Sequence, residues 1–210
     1  MFMVITPPSV KHLSASQWID EVEHLLHHGT VPLAVVLTDL DGFALVNERY
    51  GREAGDCVLD LWEKTLSSNV PAGSVVARIG GDEYAVALPG SSAENALILL
   101  EEIRGHFAGQ SVKGVDLPLN ACAGIAAAPP HGGTGEELHR FAGEALMRAK
   151  REGRARAAIY VDEKMTLKSN YYSRANLDRL SKLSGATSRT EASLLREALD
   201  DLFEKYRDSL

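Results

Sequence analysis

The chain has 210 residues, of which 45% are apolar, enough for one domain with a sizeable core and a small second unit. Its net charge of −7 argues against general nucleic-acid affinity, and its only cysteines, Cys57 and Cys122, favour a reducing compartment over a disulfide framework. Because no apolar run reaches the roughly 18 residues of a membrane span and the N-terminus lacks a basic signal-peptide start, we expect a cytoplasmic protein without a membrane partner.

Helical and strand patterns alternate irregularly along the first 161 residues. Residues 14–29 begin at Ser14, repeat apolar residues at helical spacing and end at Gly29, which predicts a helix. Residues 31–43 begin as a continuous apolar strand and end in a polar turn, and a second helix is expected after Asn47, with a buried face made of Val58, Leu59, Leu61, Trp62 and Leu66.

A hairpin over residues 75–88 follows, because Gly-Gly lies between runs rich in β-branched and aromatic residues. The remaining patterns predict a helix over 92–107, a strand within 117–128, a helix over 136–151 and a strand over 156–161. Since strands and helices mix without a regular βαβ repeat, an α+β sheet domain is favoured over a doubly wound one.

The hairpin segment VVARIGGDEYAVAL places two acids, Asp82 and Glu83, beside a tight turn, where they repel each other unless a positive group lies between them. Asp39 and Asp41 flank Leu40 at the point where the earlier apolar strand ends. If that strand lies beside the hairpin, Asp39, the Leu40 carbonyl, Asp82 and Glu83 converge, and a hard divalent cation takes such oxygen ligands. Each segment alone is also typical of an ordinary acidic turn.

Several blocks in the right order resemble the GGDEF family of diguanylate cyclases, and the resemblance covers roughly residues 14–161. The blocks include TDLDGFALVNERYGREAGD, ARIGGDEY, CAGIAAAPPHGG and FAGEALMRAKREGRAR. The resemblance implies a GGDEF domain over residues 14–161 after a lead-in of residues 1–13. It also implies the palm-like α+β fold of nucleotidyl cyclases, with a central, mainly antiparallel sheet flanked by helices.

The resemblance assigns roles to individual residues. Asp39, the Leu40 carbonyl and Asp82 look like ligands of a catalytic Mg²⁺ or Mn²⁺ ion, with Glu83 as a second carboxylate at the metal or as the base that deprotonates the attacking hydroxyl. Asp82 and Glu83 are therefore the candidate catalytic residues. The GTP-binding candidates are the backbone N–H groups of Gly42 and Phe43, the guanine-reading side chains of Asn47 and Asp56, and the phosphate-binding pair Lys150 and Arg154, expected one helical turn apart.

The activity implied is condensation of two GTP molecules into cyclic di-GMP and two pyrophosphates, by a dimer in which each domain holds one GTP. Glu48 and Tyr84 are mild departures from the family pattern. Ala44, where the family usually has a lysine that faces the phosphates, and Arg52, where it has a histidine, are larger ones. They motivate the alternative of a GTP or cyclic di-GMP binding switch without turnover, against which the retained carboxylates argue.

Residues 165–210 form a separate tail, with eight Lys and Arg against seven Asp and Glu. An alternating stretch is followed by a helix that ends at Gly185 and a second helix capped by Thr187 or Ser188. This order is similar to a ribbon-helix-helix module, in which two chains pair. The tail therefore predicts a homodimer, and DNA is a further candidate partner.

Two uses of this tail stay open at this point. In the first, a two-stranded ribbon enters the DNA major groove, with contacts from Lys168, Asn170 and Tyr172 and with Ser188 and Arg189 on a phosphate. In the second, the tail dimerises without DNA. A tail charge of about +1 is small for a protein that binds a polyanion.

Overall fold

The computed structural model describes residues 8–161, 172–187 and 191–206, and the chain divides into two compact units, Met1–Val161 and Asp162–Leu210. The elements of the first unit are β1 (Val10–His12), α1 (Ala15–His27), β2 (Leu33–Leu40), α2 (Phe43–Tyr50), α3 (Arg52–Asn69), β3 (Val75–Arg78), β4 (Glu83–Pro89), α4 (Ala93–Ala108), β5 (Ala121–Ala128), α5 (Gly135–Arg151) and β6 (Ala157–Ile159). The second unit contains α6 (Arg174–Thr187) and α7 (Glu191–Lys205). Within these described ranges, none of the helices combines the length and apolar character needed to cross a bilayer.

The first unit is built on a mixed six-stranded sheet with strand order β1-β3-β4-β2-β5-β6. The three pairings around the centre are antiparallel, and the two outer pairings, β1 with β3 and β5 with β6, are parallel. The expected α+β architecture, a largely antiparallel sheet flanked by helices, is confirmed. Strand β2 lies between β4 and β5, so its end is at the middle of the sheet edge.

Helices cover both faces of the sheet, which explains why β2 reads as a continuous apolar run rather than an alternating one. Ala34 and Val36 face a core layer shared with α3 and α4, whereas Val35 and Leu37 face a second layer shared with α1 and α5. Asp39 follows Val35 and Leu37 at the alternate positions of β2, so its side chain lies on the same face of the sheet, towards α5.

The structure differs from the sequence expectations at several boundaries. Strand β1 lies inside the segment taken as a lead-in and pairs with β3. The segment from Asn47 contains the expected helix, α3, but it also holds the end of a separate helix, α2, and the two meet at Gly51, whose φ of 84° favours glycine. The prediction that the first tail helix ends at Gly185 was wrong, because α6 continues to Thr187. The expected tail strand falls outside the described residues.

Gly124 allows α5 to approach the sheet closely. A Cβ there would lie 2.1 Å from both the Ala142 carbonyl oxygen and the Leu146 nitrogen, which belong to the backbone of α5 and cannot give way cheaply. We expect Gly124→Ala to cost about 3 kcal/mol and to lower the melting temperature by roughly 6 to 12 °C. The matched control is Gly143→Ala, whose added methyl group would meet Leu37 only at 3.8 Å. Equal melting temperatures for the two variants would contradict this account.

Candidate active site

The register between β2 and β4 brings the two acidic segments together. Asp39 lies directly opposite Glu83, and the Leu40 nitrogen donates to the Asp82 carbonyl at 3.4 Å. Asp39 is 8% exposed, whereas Glu83 is exposed. The strand end and the hairpin thus meet at one edge of the sheet, as expected if they share a site.

The hairpin turn is fastened by its own backbone and by Arg78. The Ile79 and Gly80 nitrogens donate to the Glu83 carbonyl, and the Arg78 guanidinium donates to the carbonyls of Gly80 and Gly81. Gly80 leaves room for the Glu83 side chain, since a Cβ there would lie 3.0 Å from the carboxylate. The acidic pair is therefore carried on a rigid turn. Sequence reasoning assigned no role to Arg78, although it lies within the quoted ARIGGDEY block.

Negative charge concentrates at this edge. Burial, followed by the neighbouring Asp39 carboxylate, raises the pKa of Asp82, and Lys150 and Arg78 offset this effect only in part. The Lys150 ammonium lies 2.7 Å from the Asp39 carboxylate, and its side chain is 22% exposed. Lys150 is therefore more than a solvated cation at a helix end. A further positive charge at this edge would relieve the remaining repulsion.

The chemistry of this donor set fits a hard divalent cation. Two carboxylates lie close enough for one to raise the pKa of the other, a third lies opposite Asp39, and the Leu40 carbonyl is at the strand end. Across residues 8–161, 172–187 and 191–206, no three His, Cys, Asp or Glu side chains are already arranged around a common metal position. A divalent ion held here would complete its coordination with the Leu40 carbonyl and with water or phosphate oxygens.

The turn after β2 leads directly into a helix N-terminus. Gly42 has a φ of 74°, the left-handed region that favours glycine, and serves as the N-cap of α2. Its carbonyl accepts from the nitrogens of Leu45 and Val46. The first N–H groups of such a helix have no intrahelical partner, so the backbone at Gly42 and Phe43 is suited to an anion.

Asn47 of α2 packs against the first turn of α3. A Cβ at Gly55 would lie 2.0 Å from the Asn47 side-chain oxygen, so Gly55 allows the two helices to meet there. Asp56, the next residue, is exposed. The structure thus places the two predicted guanine-reading residues near one another across the α2–α3 contact. Sequence reasoning missed Gly55, whose importance depends on contact between two helices.

The expectation that Lys150 and Arg154 lie one helical turn apart was wrong, whereas the helix end at residue 151 was predicted correctly. Helix α5 ends at Arg151, and Arg154 lies in the following turn with a φ of 62°. Its guanidinium contacts the Asp41 carboxylate at 3.4 Å, and its side chain is 57% exposed. Both cations still reach the end of β2, because Lys150 pairs with Asp39 and Arg154 with Asp41.

The predicted DNA contacts Lys168, Asn170, Ser188 and Arg189 lie outside the described residues, and Tyr172 is 47% exposed before α6.

Most of the first unit is similar in sequence to known proteins. The family described as "Diguanylate cyclase, GGDEF domain" matches residues 14–156. A diguanylate cyclase of Vibrio cholerae is 33% identical over 131 residues, which are 61% of this chain and 40% of that protein. The response regulator PleD of Caulobacter vibrioides is 33% identical over 130 residues, which are 60% of this chain and 29% of that protein. The chain thus spans less than half the length of either relative.

Solved structures extend the similarity to the fold. The active GGEEF domain of a diguanylate cyclase from Vibrio cholerae superposes with a TM-score of 0.66 at 27% identity, covering 71% of this chain and 98% of that one. A GGDEF domain from Pseudomonas aeruginosa superposes with a TM-score of 0.67 at 28% identity, covering 74% of this chain and 99% of that one. Nearly all of each solved domain is therefore matched by part of this chain.

Proposed function

Because the chain belongs to the GGDEF diguanylate cyclase domain family, we propose that it condenses two GTP molecules into cyclic di-GMP and two pyrophosphates. The observation that carries this proposal is the pairing of Asp39 with Glu83 at the sheet edge, next to Asp82 and within reach of Lys150. A cluster of carboxylates with a lysine suits phosphoryl chemistry, because both a metal ion and a phosphate find opposite charges there.

Family members generally use a divalent metal ion, and here Asp39, Asp82, Glu83 and the Leu40 carbonyl would hold Mg²⁺ or Mn²⁺. When bound, the ion supplies charge neutralisation at the phosphoryl oxygens and makes the ribose hydroxyl a better nucleophile. Glu83, which is exposed on the hairpin, would act as a second carboxylate at the metal or as the base that accepts the proton of that hydroxyl. The acidic character of the chain is thus compatible with an acidic substrate.

The remaining site residues bind and orient the nucleotide. The N–H groups of Gly42 and Phe43 and the side chains of Lys150 and Arg154 bind phosphates. The resemblance to the family assigns Asn47 and Asp56 to the guanine base. The Asp56 carboxylate accepts from the ring N–H and the exocyclic amine of guanine, a pair of donors that adenine does not present. This predicts selection of GTP over ATP.

The second unit is proposed to bring two GTP sites together by dimerisation. Its helices expose large apolar side chains that a unit of this size cannot bury alone, namely Leu177, Leu183, Leu199, Leu202, Phe203 and Tyr206. A groove of about 500 Å³ in the same unit is lined mainly by α6 residues together with Leu195 of α7. A second copy of the chain would cover these surfaces, in agreement with a paired, ribbon-helix-helix-like tail.

DNA binding by the tail is a separate proposal, supported by the sequence pattern alone. Lys168, Asn170 and Tyr172 would contact bases, and Ser188 and Arg189 a phosphate. Fluorescence anisotropy of labelled duplexes, measured with rising salt, would test it, because each phosphate contact steepens the salt dependence. Absence of binding to any duplex at low salt would leave dimerisation as the role of the tail.

The direct test of the cyclase proposal is to incubate the full-length chain with GTP and Mg²⁺ or Mn²⁺, and to follow nucleotides by chromatography with mass detection. We expect cyclic di-GMP and pyrophosphate in a 1:2 ratio, and no cyclic product from ATP. GTP that is bound but not converted would instead indicate the nucleotide switch, for which Ala44 and Arg52 are the sequence basis.

Inhibition by the product offers a second test. Many family members carry an R-x-x-D inhibitory site before the hairpin, whereas the matching window here is Pro71, Ala72, Gly73 and Ser74. No charged side chain is available in this window to bind the product. We expect turnover to be unchanged by micromolar cyclic di-GMP, measured as pyrophosphate release. Strong inhibition at that concentration would contradict this prediction.

A further inference from the structure

The segment that carries Arg154 has an unfavourable backbone. Gly153, Arg154 and Ala155 follow one another with φ values of 115°, 62° and 47°. Within the described residues, Arg154 and Ala155 are the two non-glycine positions with positive φ. L-residues avoid this region, so it persists only where surrounding contacts impose it, and such positions cluster at functional sites.

Asp41 supplies contacts from one side of this turn. Its carboxylate accepts from the Ala155 nitrogen at 2.9 Å and from the Arg154 guanidinium at 3.4 Å. Asp41 is itself held, because its backbone nitrogen donates to the Asn120 carbonyl at 2.9 Å and the Cys122 thiol donates to its carboxylate at 3.2 Å. Its side chain is only 10% exposed. A carboxylate so enclosed has little freedom to leave the turn.

Arg104 of α4 holds the same turn from the other side. Its guanidinium donates to the Ala155 carbonyl and, at 2.8 Å, to the Ala121 carbonyl at the start of β5. It also pairs with Glu101, whose other carboxylate oxygen accepts from the Ala157 nitrogen. The Arg104 side chain is 9% exposed. Both backbone polar groups of Ala155 are therefore bound by charged, nearly buried side chains.

We propose that Asp41 is a positioning residue for Arg154, and that with Arg104 it fixes the turn that presents the Arg154 guanidinium to the substrate phosphates. This inference rests on the proposed function of the site. Arg154 is more than half exposed, and its guanidinium has five N–H donors, so it can bind a phosphate while it remains paired with Asp41. A carboxylate near phosphates repels them, so Asp41 lowers affinity unless its hold on Arg154 outweighs that repulsion.

The direction in which one substitution changes the KM for GTP distinguishes positioning of Arg154 from repulsion of the phosphates. Asp41→Asn keeps the shape of the side chain and one oxygen acceptor but loses the charge-assisted hydrogen bonds. If Asp41 positions Arg154, the KM for GTP rises by about tenfold while kcat changes little, because a phosphate contact made equally in ground and transition states affects KM alone. If repulsion dominates, KM falls. Asp20→Asn, at an exposed aspartate of α1, is the matched control and is expected to leave both constants unchanged.

Coupling to Arg154 is tested with a non-reactive GTP analogue, in which a methylene group replaces the α,β bridging oxygen. Asp41→Asn and Arg154→Ala should each weaken binding of the analogue, and the double variant should be no weaker than Arg154→Ala alone. The proposal would be overturned if the two losses of affinity multiply in the double variant, or if Asp41→Asn binds the analogue as well as the wild type does. A wild type that binds the analogue but makes no cyclic di-GMP removes the cyclase proposal and leaves this one standing. A wild type that neither binds the analogue nor makes cyclic di-GMP overturns both.

Relief of the backbone provides an independent check should Asp41→Asn fold poorly. Ala155→Gly adopts the positive φ without penalty, so the turn no longer depends on Asp41 to the same degree. Adding Ala155→Gly to Asp41→Asn should restore part of the affinity and slow hydrogen exchange in a peptide spanning residues 153–157. No recovery of either quantity would show that Asp41 does not act through the turn.

Discussion

Replacing Glu83 with glutamine is expected to lower cyclic di-GMP synthesis by about a thousandfold, within the range for loss of a catalytic acid-base group or metal ligand. Glutamine has nearly the same shape but neither the charge that binds a divalent cation nor the basicity to accept a proton. The rigid turn held by Arg78 should keep its place, because Glu83 contributes its backbone rather than its carboxylate to the turn.

Turnover of GTP, measured by chromatography across a range of Mg²⁺ and Mn²⁺ concentrations, checks this prediction. Glu136→Gln, at an exposed position in the first turn of α5, is the matched control and should retain full activity. The melting temperatures of both variants should equal that of the wild type. A Glu83→Gln protein that keeps more than a tenth of the activity would exclude Glu83 from the chemistry.

Placing charges on the apolar face of α7 is expected to separate the dimer. Leu199 and Phe203 are about half exposed in the described chain, one helical turn apart. If each buries its side chain against a second copy, Leu199→Asp combined with Phe203→Asp removes about 4 kcal/mol of association, which is roughly a thousandfold in Kd. Since each domain is proposed to hold one GTP and the product needs two, turnover should fall by at least about a hundredfold at low micromolar protein.

Light scattering after size exclusion reports the oligomeric state. In the separated variant, the rate of cyclic di-GMP synthesis should depend on the square of the protein concentration. Ile98→Asp is the matched control, because Ile98 is a 60% exposed apolar residue of α4 in the other unit. It should stay dimeric and active. A dimeric, fully active Leu199→Asp and Phe203→Asp protein would end the proposed role of the tail.

Some local features of the first unit could be read from sequence because short-range chemistry sets them. Ser14 begins α1 through a reciprocal pair of bonds with Gln17, a capping box that depends on residues three apart. The apolar run of β2 and the Gly-Gly turn before β4 are similarly local. The order of the blocks also identified the family, so the expected GGDEF domain agrees with the matched residues 14–156.

Two other predictions from the sequence were incomplete, namely the boundary between α2 and α3 and the position of Arg154 after α5. The separation of α2 from α3 depends on a positive φ at Gly51. After α5 ends, Arg154 and Ala155 form a left-handed turn, and this turn is bound by Asp41, which follows β2, and by Arg104 of α4. The end of this helix at residue 151 was predicted correctly, but helical spacing alone could not show that Arg154 lies in a left-handed turn rather than one helical turn beyond Lys150.

The sequence by itself determined the apolar strand that ends in Asp39, the acidic hairpin and the identity of the charged residues of the site. Only the tertiary structure decided which of them meet: Glu83 opposite Asp39, Lys150 on Asp39, and Arg154 and Ala155 on Asp41. The physical reason is that propensity and capping act over a few residues, whereas Asp41 and Ala155 are 114 positions apart. Such pairs form only once the sheet register and the packing of α5 have set their distance.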